Sequence, residues 1–277
     1  MKKSSSFLLL ILSLVSSLGF SQNVLDGLYL KENTPGRKVV PYSHLREADV
    51  LWNSRVWRTI DLREKMNQPL YFPLEPMAGR TSLFDAILKG VNAGTLIAFD
   101  DKDDYFSKQL TKEESVAKLV TPKVLQQENP DAPGTFVEIR DTVVTKSKDV
   151  VSYLLKEDWF FDKQRSVMDV RIIGICPVIK TFDESGAERG RKKLFWLYFP
   201  NCREVFANAE TYNRQNDAER RTYDDIFWKR MFSSYITKQN NVYDREISDY
   251  ATGLDALLEG EKIKDDIFTL EMDMWHY

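Results

Sequence analysis

The side chains best suited to chemistry in this sequence are carboxylates. Asp100, Asp101, Asp103 and Asp104 crowd around Lys102, which is the composition of a calcium loop. An EF-hand needs Gly at its sixth position and Glu at its twelfth, and neither register supplies them. The run therefore reads as a solvated acidic turn between a strand and a helix. Glu157 and Asp162 could serve as acid and base on a glycan, but helical spacing would turn them to different faces. His44 and His276 stand outside any nucleophile–base or metal-ligand spacing, and Cys176 and Cys202 are too few to build a zinc site with them. No phosphate-binding glycine loop, nucleophile elbow or dinucleotide fingerprint is present. The expectation is a chain with no catalytic residue, metal, cofactor or small-molecule substrate.

What remains is charged and aromatic. Residues 156–163 form a knot with Glu157, Asp158, Trp159 and Asp162 at its centre. Two apolar runs follow, residues 171–177 and 194–200, separated by a polar stretch at 183–192 that holds two glycines. This predicts a β-hairpin over 171–200 with a long solvated tip. The second run has no strongly polar side chain from Leu194 to Phe199. Both of its faces must be covered, by the chain's own helices or by another protein. Aromatics beside arginines are the composition that interfaces favour. The candidate interface residues are Glu157, Asp158, Trp159 and Asp162 in the knot, with Arg189 and Arg191 at the tip. Cys176 and Cys202 are a candidate disulfide pair, with two buried free thiols as the alternative.

The elements around this centre can be read from periodicity and caps. Trp52, Val56 and Ile60 suggest an amphipathic helix within 44–66, ended by Pro69 and Pro73. A capping-box-like start at Ser82 and a stop at Gly90 predict a short helix. Residues 95–99 read as a strand, 111–120 as a helix, and 137–143 as a half-exposed strand. Residues 121–134 turn to Pro, Gln, Asn and Asp and form the best linker if the 43–277 domain divides into two lobes. A helix is expected before Trp159, others at 201–209 and from Thr222 through Tyr235, and a last one over 253–275. One internal echo appears: residues 84–90 match residues 254–260, each preceded by a Trp- and Arg-bearing segment, which suggests a duplicated helical element. The fold class is α+β, a central antiparallel sheet flanked by helices from both halves.

Lys2 and Lys3 precede an apolar stretch at 7–20, and small residues follow at 19–21. This reads as a cleavable signal peptide over 1–21, without a lipid-bearing cysteine, and so as an exported chain. Residues 22–42 read as an extended arm, either packed on a neighbour or disordered. Loss of Lys2 and Lys3 leaves a net charge of about −5, which argues against nucleic acid as a partner.

In number and order, several segments resemble the GldN (PorN) family. They are residues 54–71, 82–89, 155–163, 171–177, 228–236 and 243–245. The resemblance implies a non-enzymatic subunit of the type IX secretion and gliding-motility machinery of Bacteroidetes. It implies a place in the periplasm, at the inner face of the outer membrane. It also implies assembly with a GldK/PorK-like outer-membrane lipoprotein into a ring, self-association within that ring, and coupling to a GldM/PorM-like motor component. Two other classes stand beside it: a periplasmic cargo adaptor or chaperone, and an enzyme acting on cell-wall glycan.

Overall fold

The computed structural model describes residues 37–274 apart from 78, 129–135, 183–187, 214–215 and 217. The expected leader, most of the arm, the centre of the hairpin tip and His276 lie outside the described residues. The first long element is a strand, β1 (Val50–Asp61), where the spacing of Trp52, Val56 and Ile60 suggests a helix. A spacing of four satisfies both the helical period and the strand period of two. What decides between them is that Val56 to Asp61 are all buried. A strand covered on both faces loses its alternation, so periodicity alone misleads here.

Helices α1 (Gln68–Tyr71) and α2 (Leu83–Ala93) follow, then β2 (Ala98–Phe99), α3 (Lys112–Leu119) and the strands β3 (Val120–Glu128) and β4 (Phe136–Val144). Helix α2 is capped by Ser82, whose hydroxyl accepts from the Asp85 amide. It continues through Gly90 and stops at Gly94, which takes the left-handed conformation that ends helices. Residues 121–128, the described part of the stretch expected as a linker, run in a two-stranded ladder, from Val120 opposite Val144 to Glu128 opposite Phe136. Pro122 is tolerated there because both strands are edges.

Strand β5 (Val150–Asp162) occupies the place where a helix is expected before Trp159, and a turn at 163–166 leads into β6 (Val167–Phe182). Then come β7 (Glu188–Lys193), β8 (Trp196–Tyr198), α4 (Phe199–Asn208), α5 (Tyr223–Trp228), β9 (Tyr235–Gln239) and α6 (Leu254–Met274). Among the described residues these form an α+β fold, with a seven-stranded antiparallel sheet in the order β2-β8-β6-β5-β1-β9 and β7 also paired to β6. The predicted 171–200 hairpin divides in two. Residues 178–182 pair with β7, so half of the expected tip is strand, and only Gly174 and Ile175 pair with β8.

One face of the sheet carries α2, α4 and α5. Their contribution is aromatic: Phe199 lies 5.3 Å from Phe227, and Phe206 lies 5.8 Å from each of them. Further along β1, α6 lays Ile263 and Ile267 against Val56 and Ile236. The other face is covered by Trp196 with Phe99 and Phe106, which close over Trp57 and Cys176. The echoed segments at 84–90 and 254–260 both lie in helices. Their upstream pieces differ, since Trp52 is in a strand and Trp228 ends a helix. The repeat is one of helix sequence, not of a larger unit.

Candidate interaction surface

Successive residues of a strand point to opposite faces, and this disposes of the knot's charges two ways. Glu157, fully buried, faces the helix-covered side. Arg230 donates to both of its carboxylate oxygens at 3.0 and 3.1 Å, the Arg58 guanidinium lies 3.2 Å away, and Trp159 Nε1 donates to it at 3.2 Å. The Trp159 ring lies near both arginines, 5.6 Å from Arg58 and 5.4 Å from Arg230. Burial lowers the pKa of Arg58, and Glu157 opposes that shift. A carboxylate held this way is a structural charge, because losing either side would leave a buried ion alone.

Lys156, only 2% exposed, faces the other side. Its ammonium donates to the Asp104 carbonyl at 2.6 Å and lies over Tyr105 and Phe106. Trp57 Nε1 donates to the Asp104 carboxylate at 2.6 Å. Desolvation lowers the Lys156 pKa, and Asp104 offsets part of the effect. Asp158 accepts two bonds from Arg55 at 2.6 and 2.8 Å.

The acidic run at 100–104 is therefore a folded loop, not a free turn. Lys118 binds both Asp100 and Asp101, and its hydrogen bond holds Asp100 down at about 2. Asp103 accepts from the Tyr105 amide and from Ser107. Among the described residues, no group of three or more His, Cys, Asp or Glu could hold a metal ion.

The six predicted interface residues do not converge. Glu157 is fully buried, and Asp162 is buried with Arg165 donating at 2.7 Å. Asp158 and Trp159 keep a half-buried edge. Arg189 and Arg191 are exposed on β7, with Arg191 opposite Lys180. Asp162 pairs with Val167 at the other end of β6, about 40 Å away along a strand rising ~3.3 Å per residue. Cys176 and Cys202 are buried free thiols, and burial pushes both up to about 12.

Sequence reasoning missed a cluster that the fold builds from distant pieces. Residues 37–42, the described part of the expected arm, lie with Ser43 on the domain itself. The Arg203 guanidinium is 4.6 Å from the Tyr42 ring and 4.8 Å from Trp228, and the two rings stack at 5.5 Å. Arg203 is held by Asp224 at 2.8 Å and donates to the Val40 carbonyl. Arg171 donates to the Ser43 carbonyl, and Arg37 pairs with Asp225 at 2.6 Å. Beside this lies a cavity of about 460 Å³ lined by Pro41, Arg165, Asp169, Phe227 and Arg230, among others. The only signal in the sequence was the abundance of Arg and aromatic residues, which says nothing of who meets whom.

Among the described residues, no helix is long and apolar enough to cross a membrane. Comparison with curated proteins finds no match. A family model described as gliding motility associated protein GldN matches residues 45–276, a span holding every strand and helix described above, and the chain belongs to that family.

Proposed function

We propose that this GldN-family protein is a non-enzymatic structural subunit of the type IX secretion and gliding-motility apparatus. In this reading it is exported, lies at the inner face of the outer membrane, and assembles with a GldK/PorK-like lipoprotein into a periplasmic ring. Self-association closes the ring, and a GldM/PorM-like component couples it to the motor.

Family membership over residues 45–276 supports the gliding role. The observation that carries the structural role is the closure of Glu157 by Arg58, Arg230 and Trp159. The best acid–base candidate in the sequence is consumed in a buried ion cluster, and such clusters give a fold its register and rigidity more readily than they react. Rings need heterologous contacts that repeat head to tail, and a rigid sheet suits that use.

The test is purification of a tagged chain from native membranes. We expect a fixed-ratio complex with an outer-membrane lipoprotein. A free soluble pool, with cargo bound only transiently, would overturn the ring in favour of an adaptor.

A further inference from the structure

The loop at 100–108, between β2 and α3, lies over the sheet at Lys156. It closes on itself at its foot, where the Asp100 amide donates to the Lys108 carbonyl at 3.0 Å. Between the feet, residues 101–107 make no backbone-to-backbone hydrogen bond with a strand. Side chains hold the loop down instead. Phe106 packs on Gly174, where an added Cβ would lie 2.7 Å from its ring. Lys156 donates to the Asp104 carbonyl and Trp57 Nε1 to the Asp104 carboxylate, each at 2.6 Å. Of the groups around the Lys156 ammonium, Asp104, Tyr105 and Phe106 all belong to this one loop.

Closure carries two costs that opening removes. Phe106 holds a left-handed backbone, with φ at 59°, which a bulky residue adopts only where its surroundings fix it. Lys156 is a cation only 2% exposed, and an ammonium taken out of water regains its hydration once uncovered. A segment held by a few side chains against such costs can open locally while the rest of a domain stays folded. We propose that residues 100–108 are a two-state lid, closed by Phe106 on Gly174 and by Lys156 on Asp104. Opening bares the Lys156 ammonium beside the rings of Trp57 and Trp196, a cationic and aromatic face that the closed loop hides. The lid goes beyond the ring reading and stands without it.

Acetylation of the Lys156 amine in the native protein, followed by mass spectrometry, tests this. Dividing its rate by that of the urea-denatured chain gives the fraction of time the amine is uncovered. Alkylation of Cys202, sealed in the helical core, reports global unfolding on the same scale. We expect Lys156 to be uncovered about tenfold or more above Cys202, as a local opening requires. Gly174→Ala, which crowds Phe106 off its seat, should raise Lys156 by about a further tenfold and leave Cys202 unchanged. Lys156 and Cys202 reacting in step in the unaltered protein would overturn the lid, because only global unfolding would then uncover the lysine. So would a Gly174→Ala protein whose Lys156 reacts no faster, or one in which both sites rise together.

Discussion

Residues 84–90 in α2 and residues 254–260 in α6 share almost one helix-forming pattern, yet the two helices live in different surroundings. In α2, Phe84 and Ile87 are sealed against the sheet and the neighbouring helices. In α6, their counterparts Leu254 and Leu257 face outward, and the helix holds on by Ile263 and Ile267 instead. A few residues of sequence decide that a helix forms. They do not decide which of its faces is buried, because that depends on what the rest of the chain brings alongside.

The largest test of this contrast is truncation of equivalent positions. Phe84→Ala should cost about 3–5 kcal/mol, and Leu254→Ala should stay within about 0.5 kcal/mol for the monomer. Urea melts at a concentration where the protein is monomeric measure both, and equal losses would break the comparison.

The paired glycines give a middle-sized test. A Cβ on Gly260 would lie 2.8 Å from the backbone carbonyl oxygen of Ile236, whereas one on Gly90 would meet the side chain of Leu96. Gly260→Ala should therefore lose about 1–3 kcal/mol by pushing α6 off β9. Gly90→Ala should lose less, since it displaces a side chain rather than backbone and the helix gains propensity. Thermal melts of the two variants rank them.

The smallest test concerns the helix starts. Asp85 accepts from Ser82 at 2.8 Å and from Ser147 at 2.7 Å, and both serines are buried. Asp85→Ala should lose about 1–3 kcal/mol by removing the acceptor of both hydroxyls, which would keep only each other to donate to. Asp255, exposed in the first turn of α6, should lose no more than about 1 kcal/mol through the helix dipole. Denaturant midpoints distinguish the two, and a larger loss at Asp255 would reverse the ranking.

Much of the fold was legible. The capping boxes at Thr111 and Thr222 start helices where the sequence says they do, and the α+β class and family follow from patterns spread along the chain. The candidate surface was far less legible. Helices stood in the prediction for β1 and β5 because a strand buried on both faces has no alternation to read. How the knot's charges are closed could not be read because their partners are far away: Arg230 lies 73 residues from Glu157, and Arg55 lies 103 residues from Asp158. The Tyr42–Arg203–Trp228 stack joins three separate segments in the same way.

By itself, then, the sequence determined the features that need only a few neighbouring residues: helix caps, the apolar character of β6 and β8, the absence of recognised catalytic motifs, and the family. Tertiary structure alone decided which charges are neutralised, which thiols are sealed and which stripe of α6 is bare. The reason is physical. A cap is satisfied within one turn of helix, while burial and ion pairing are properties of two surfaces, and the second surface can come from anywhere in the chain.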